Sequence, residues 1–307
     1  MSLPAAMLLA LALDAAIGWP DGLYRRIGHP VTWCGALVSA LETRWNQGSE
    51  SRRRLAGLAT ALLVILLAIA IAGLLQRHAG LWLTAILAWP LIAARSLHQH
   101  AAAVARPLGA GDIPAARRAV SMIVGRDTET LGTPGIARAA LESLAENASD
   151  GIIAPLFWGA LFGLPGIAGY KAINTLDSML GHRSPRYLAF GWAAARIDDL
   201  ANLIPARLTA LLFALAAADK RAALHTAWRD AQHHRSPNGG WPEAAMAGAL
   251  GLRLSGPRIY GNQTAEEPWI NATGRDPVVE DIAAGLALYR RMLLLAAGIL
   301  AATALRG

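Results

Sequence analysis

Four short stretches of this chain gather polar side chains whose spacing could do chemistry. Within residues 142–151, Glu142, Glu146 and Asp150 recur every four residues, so on a helix they share one face, with Asn147 beside them. Like charges at that spacing repel, and a bound cation would relieve the repulsion; a solvated face with Arg138 pairing to Glu142 is the plain alternative. Within residues 170–179, Lys171 is one of only two lysines in a chain that otherwise uses arginine. A compact ammonium suits a phosphate, although a side chain snorkelling at a membrane boundary would look the same. Asn174 and Asp177 lie three apart, hence adjacent on a helix. Asp198 and Asp199 stand four and three residues before Asn202, an oxygen-rich grouping suited to Mg²⁺ unless Arg196 and Arg207 neutralise it. Finally, Asn238, Gly239 and Gly240 precede Pro242, so a bend entering a helix could turn backbone N–H groups toward phosphate, or could be an ordinary turn.

The elements that must position these residues are helices in a bilayer. Of 307 residues, 54% are hydrophobic and 16% charged, against roughly 25% charged in an average globular protein. Mean hydropathy is +0.36. This excludes disorder, a coiled coil and a typical cytosolic enzyme. One cysteine excludes a disulfide framework or a thiolate zinc cage. The net charge of +7 has no basic stripe interleaved with aromatics, so nucleic acid is not expected; the arginines flank apolar runs, as the positive-inside rule requires. Residues 55–75 form an uncharged run of 21 residues behind Arg52, Arg53 and Arg54, long enough to cross with a cytosolic N-terminal end. Residues 81–95 return as a hairpin kinked at Pro90. Residues 3–18 read as a retained span with its N-terminus outside, because Arg25 and Arg26 follow it and no basic residue precedes it. Residues 152–169 and 203–218 are apolar but interrupted, which suggests broken or re-entrant helices lining a polar cavity. Residues 292–305, about 14 in number, would cross with strain or dock inside the bundle. The expected fold is all-α, a polytopic membrane protein read as one domain over 1–307, with a cytosol-facing polar region at about 120–260.

Other residues invite plainer readings. Cys34 beside Trp33 suggests packing, and His29 before Pro30 a structural histidine. His98, His100, His233 and His234 lack ligand spacing. Asn262 and Asn271 match a glycosylation pattern by chance. No Gly-x-x-x-x-Gly-Lys-Ser/Thr loop is present, so a Walker nucleotide fold is unsupported.

The order of these segments resembles a known family. Gly125-Arg126-Asp127-Thr128, the block from Glu142 ending in Ala154-Pro155-Leu156-Phe157, residues 170–181, 191–210 and 236–260, and His29-Pro30-Val31 together look like the CobD/CbiB family of cobalamin biosynthesis. The likeness runs from about residue 8 to 290. It departs at Gly18-Trp19-Pro20, where the family usually has Gly-Asp-Pro, so that acidic role falls to Asp14 or Asp21 or is dispensable. The resemblance implies an adenosylcobinamide-phosphate synthase of the cell inner membrane. Such an enzyme joins adenosylcobyric acid to (R)-1-amino-2-propanol or its phosphate, using ATP and Mg²⁺. Activating a carboxylate as an acyl phosphate needs metal, positive charge and positioning rather than a protein nucleophile, which agrees with the absence of Ser-His or Cys-His pairs. On this reading Glu142, Glu146, Asn147, Asp150, Asp177 and Asp198 hold the metal. Glu146, Lys171, Asp198 and Asp199 act at the reacting centre, while Arg126, Asp127, Asn174, Arg207, Asn238, Gly239 and Gly240 bind substrate or phosphate. The bilayer is a further partner, and self-association is left open. Rival readings are an AmpE-like sensor, which should have lost these acidic residues, a membrane prenyltransferase, whose Asn-Asp-x-x-Asp pattern is absent, and a transporter.

Overall fold

The computed structural model describes residues 2–125, 127–260, 263–265 and 267–306. In chain order the first helices are α1 (Leu3–Ile17), α2 (Asp21–Ile27), α3 (Pro30–Trp45), α4 (Glu50–His78) and α5 (Leu81–Ala88). There follow α6 (Ala94–Gly109), α7 (Ile113–Ser121), α8 (Thr133–Ala148), a π-helical turn at Ser149–Ile153, α9 (Ala154–Phe162) and α10 (Leu164–Leu180). Last come α11 (Trp192–Ala201), α12 (Leu203–Ala216), α13 (Lys220–Asp230), α14 (Gly240–Leu250) and α15 (Val279–Ala304). Strands are confined to two short antiparallel ladders. In one, β1 (Leu254–Ser255) pairs with β4 (Trp269–Ile270); in the other, β2 (Arg258–Tyr260) pairs with β3 (Gln263–Ala265).

The protein is an all-α polytopic membrane protein, as its composition implies. Glu50–His78, Leu81–Gly109 and Val279–Ala304 are each long and apolar enough to cross a membrane. Two bent pairs, Leu3–Ile17 with Asp21–Trp45 (109°) and Trp192–Ala201 with Leu203–Ala216 (46°), raise the number to five if each makes one crossing. Two expectations change. The last span is a helix of 26 residues rather than a run of about 14, because its first turns carry Glu280 and Asp281 at the end where acids favour a helix. The stripe Glu142, Glu146, Asp150 is not one straight helical face: α8 ends at Ala148 and Asp150 falls in the wider π-turn.

The chain folds as two compact units, each assembled from separated segments. Unit 1 comprises residues 1–93, 154–202 and 299–307, and unit 2 residues 94–153 and 203–298. In unit 1, α4 is started by Ser49, whose hydroxyl accepts from Arg52 N, and its last turn carries the basic residues Arg77 and His78, with the Arg77 cation favoured by the helix dipole. Its outer surface stays apolar yet uncovered, with Leu66 61% and Leu74 59% exposed, as a lipid-facing surface should be. Its inner face packs on α10, where Val38, Val64, Leu176, Leu180 and Phe190 form a core with Cys34 against it. Gln76 Oε1 accepts Leu164 N at 2.6 Å and so caps the buried start of α10. His29 is structural as expected: its Nδ1 accepts Val31 N at 3.2 Å, capping α3.

In unit 2, α14 packs on α13, α12 and α8, and the buried side chains Leu141, Leu144, Phe213, Met246 and Leu252 fill the interior. Tyr289 of α15 donates to Ala94 O at 2.8 Å. Carboxylates here are held by distant arginines. Asp276 accepts from Arg253 at 2.8 and 2.6 Å and from Arg138, which also interacts electrostatically with Glu142 four residues on. Both guanidiniums lie over the Trp269 ring, at 4.5 and 4.6 Å from its centroid. That ring rests on Gly256 (φ +85°), where a Cβ would come within 2.5 Å of it. Hydrogen bonds from Arg253, with the charge of Arg138, hold the Asp276 carboxyl below its ordinary pKa. Burial would raise Asp230, but Arg229 and the Asn271 N–H outweigh it and hold it low.

Two outcomes follow from this packing. A Cβ on Gly57 would sit 1.8 Å from Phe190 O, whereas nothing lies within 4 Å of one on Gly80. Thermal unfolding in detergent should therefore find Gly57→Ala destabilised by about 1–3 kcal/mol or more, and Gly80→Ala within about 0.5 kcal/mol of wild type. Because Asp276 is depressed in the folded state, its contribution is present above the unfolded carboxyl value, about 3.9, and is lost as pH falls through the lower folded one. Melting curves of Asp276→Asn should fall below wild type at neutral pH and converge with it on acidification.

Candidate functional site

The expected site residues separate between the two units. Lys171, Asn174, Asp177, Asp198 and Asp199 belong to unit 1; Asp127, Glu142, Glu146, Asn147, Asp150, Arg207, Asn238, Gly239 and Gly240 belong to unit 2. Arg126, like Asn262, lies outside the described residues.

In unit 1, α10 and α11 pack together, and a buried relay joins them. Tyr170 Oη donates to Asn202 Oδ1 at 2.8 Å, and Asn202 Nδ2 donates to Asp198 Oδ2 at 3.0 Å. Trp158 Nε1 donates to Ala201 O at 3.1 Å beside it. The i,i+4 spacing of Asp198 and Asn202 thus makes a direct contact. Asp199 takes the plain alternative, an ion pair with Arg196 at 3.0 Å. Lys171 Nζ lies 3.5 Å from Asn174 Oδ1 and lines a largely apolar cavity of about 400 Å³ together with Cys34, Leu67, Ile71, Leu91 and Thr175. Asp177 folds back over the end of its helix, where a Cβ on Gly181 would meet Asp177 Oδ1 at 2.0 Å.

Unit 2 brings more of the expected residues together. Arg207, on α12, donates from Nη1 to Asn238 Oδ1 at 3.2 Å and to Leu203 O at 2.7 Å. Its guanidinium lies 4.7 Å from the centroid of Trp241, so the cation is stacked as well as hydrogen-bonded. Glu146, half-buried on α8, reaches the same loop: a Cβ on Gly239 would lie 3.2 Å from Glu146 Oε1. One on Gly240 would lie 2.2 Å from Ala231 O. The two glycines therefore allow close approach. Two of the three backbone donors expected to cradle phosphate are used within the loop, because Asn238 N and Gly239 N both donate to Ser236 Oγ at 3.2 Å. The Asn238 side chain and, from α12, Arg207 add polar groups at this loop.

Two residues of the cluster escape a reading by spacing. His234 and Glu243 are almost fully buried, with Nε2 and Oε1 3.5 Å apart. His234 Nδ1 accepts Ser236 N at 3.1 Å, which assigns the ring proton to Nε2, facing Glu243. The pair closes the loop whose Ser236 holds Asn238 and Gly239. A histidine two residues before serine is the one local signal; nine residues and a bend separate it from its carboxylate.

The remaining acids are in structural use or open. Glu142, 5% exposed, accepts Ser255 N at 2.7 Å. Asn147 Nδ2 donates to Ser143 O and Oγ, and exposed Asp127 accepts Glu129 N at 2.8 Å. Among the described residues, no group of three or more His, Cys, Asp or Glu is arranged to hold a metal ion. The six-residue metal set is thus not assembled as a protein cage. Mg²⁺, however, is usually bound through one or two carboxylates together with substrate phosphates, and Glu146 beside Arg207 and Asn238 fits that mode.

Comparison with known proteins places these residues in a family context. The sequence model of the family described as CobD/Cbib protein matches residues 7–289. Cobalamin biosynthesis protein CobD of Rhodobacter capsulatus is 62% identical over 302 residues, covering 95% of each chain. Proteins of the same name from Sinorhizobium fredii and Brucella suis biovar 1 are 46% identical (93% of this chain, 92% of theirs) and 48% identical (97% and 96%). No solved structure matches the chain.

The unit 1 relay has a measurable consequence. Tyr170→Phe removes the donor to buried Asn202 and should cost about 1–3 kcal/mol in thermal unfolding. An unchanged midpoint would mean that the relay carries no stability.

Proposed function

The chain belongs to the CobD/CbiB family of cobalamin biosynthesis, and from that premise we propose that it is an ATP-dependent carbon–nitrogen ligase, an adenosylcobinamide-phosphate synthase. It condenses adenosylcobyric acid with (R)-1-amino-2-propanol or its O-phosphate, at a site facing the cytosol of the inner membrane. The observation that carries this reading is the unit 2 cluster. A stacked arginine, a buried asparagine amide and a carboxylate meet on one glycine loop, a donor set suited to phosphate oxygens and a phosphate-borne divalent cation.

The chemistry balances as follows. A substrate carboxylate oxygen attacks the γ-phosphorus of ATP, ADP departs, and the amine nitrogen then attacks the acyl carbon, expelling inorganic phosphate and giving up its ammonium proton to a carboxylate. Bound Mg²⁺ would neutralise phosphate charge. Arg207 and Asn238 orient the phosphoryl group by fixed hydrogen bonds, and Glu146 would help hold the cation. The His234–Glu243 pair holds the loop in register. Preorganised donors of this kind stabilise charge that develops as the phosphoryl group transfers. In unit 1, Lys171, Asn174, Asp177, Asp198 and Asp199 enter the proposal through the family motifs.

Purified protein in detergent, supplied with ATP, Mg²⁺, adenosylcobyric acid and each amine, provides the test by chromatographic detection of the amide. Glu146→Gln and Arg207→Ala should each lower turnover by about 10²-fold or more, with the fold intact by thermal unfolding. Lys171→Ala and Asp198→Asn report in the same assay on the unit 1 residues. Wild-type rates in both unit 2 variants would overturn the assignment. ATP-driven transport without amide formation would instead favour a transporter.

A further inference from the structure

Helix α13 turns an unusual face outward. Asp219 caps it, accepting Ala222 N at 2.9 Å, and Ala223, Thr226, Ala227 and Asp230 are buried on its α14 side. The opposite stripe is Lys220, Arg221, Leu224, His225, Trp228 and Arg229, all exposed. In it Leu224 is 44% and Trp228 77% exposed, a large apolar surface left uncovered between cations.

The neighbouring elements of unit 2 say where this face lies. α13 begins three residues after α12, a segment of a candidate crossing, and α12 exposes Leu211 and Leu215 on its last turns. Arg291 of α15 donates from Nη1 to Ala216 O at 3.3 Å, which fixes a guanidinium at the end of α12 beside exposed Arg290. Beyond those arginines α15 becomes apolar and exposed, with Leu294 73% exposed. Charged side chains thus mark one level, apolar side chains lie on one side of it, and α13 starts on the other. α13 packs against α12, so Leu224 and Trp228 belong to a helix in contact with one whose last turns expose Leu211 and Leu215.

We propose that α13 is an interfacial helix, lying in the headgroup layer of an anionic bilayer. Leu224 and Trp228 dip into the acyl boundary while Lys220, Arg221 and the α15 arginines engage lipid phosphates. A short helix with basic residues framing a Leu/Trp face is the form such monotopic contacts take, and tryptophan favours the membrane–water boundary. The occupant is lipid rather than protein because the helix directly follows a segment of a candidate crossing and its face carries the charge complementary to anionic headgroups. The same helix packs on α14, so this contact would hold the Ser236–Gly240 loop close to the membrane surface. It does not depend on the catalytic reading above.

The test uses the full chain with Cys34→Ala, carrying a nitroxide at Leu224→Cys or, separately, Trp228→Cys. The protein is reconstituted in phosphatidylcholine vesicles with and without phosphatidylglycerol. Both labels should be open to oxygen and shielded from an aqueous nickel chelate, like a label at Leu66→Cys on α4. Adding Lys220→Glu and Arg221→Glu should raise nickel accessibility severalfold in the anionic vesicles. If Trp228→Cys perturbs folding, the Leu224 label carries the result. Nickel accessibility equal to that of a label at Gln47→Cys would overturn the proposal. So would spin–spin broadening independent of lipid composition, which would assign the face to a second copy of the chain.

Discussion

A polar group inside an apolar helical body costs several kcal/mol unless it finds a partner, and the bilayer removes water as the default partner. Most of what is specific in this molecule is an answer to that cost. Gln76 supplies an acceptor for the start of α10, where a water-soluble protein could leave the N–H groups wet. Tyr170, Asn202 and Asp198 are hydrogen-bonded in series across two helices. His234 and Glu243 are buried together beneath the Ser236–Gly240 loop. In unit 2 the carboxylates of Asp230 and Asp276 are each met by an arginine fork, from the preceding residue for one and from Arg253 for the other, and both are held below the ordinary carboxylate range.

This constraint also separates structural from functional polarity. Asp199 and Glu142 each have a structural partner, an arginine for one and a backbone N–H for the other. Arg207 is different. Its hydrogen bonds to Leu203 O and Asn238 leave a guanidinium stacked over Trp241, beside a loop that also touches Glu146. Such a cation, held rigidly rather than fully neutralised, suits an anion whose charge changes during a reaction.

Much of the fold was legible because bilayer helices declare themselves by apolar length and flanking charge. The span inside α4 could be read from its 21 uncharged residues and three arginines, and the break between α9 and α10 from the interrupted apolar stretch 152–169. The start of α15 was missed, since Glu280, Asp281, Arg290 and Arg291 interrupt the apolar count without interrupting the helix. Within the site, periodicity found Asp198 with Asn202 and pointed to Glu146, while Arg207 entered through the family resemblance. At the Asn238–Gly240 bend nothing local reveals that Ser236 takes the donors of Asn238 and Gly239. Arg138 with Asp276 and His234 with Glu243 were invisible for a simpler reason: contacts closed by tertiary folding leave no spacing to count.

The central claim is that this protein activates a carboxylate by phosphorylation. It is tested most directly by supplying the wild-type protein with adenosylcobyric acid labelled with ¹⁸O in its free carboxylate, along with ATP, Mg²⁺ and the amine. Mass spectrometry of the released inorganic phosphate should find the label there, in step with amide and ADP formation. Amide formed with all the label absent from phosphate, or no amide at all, would contradict it.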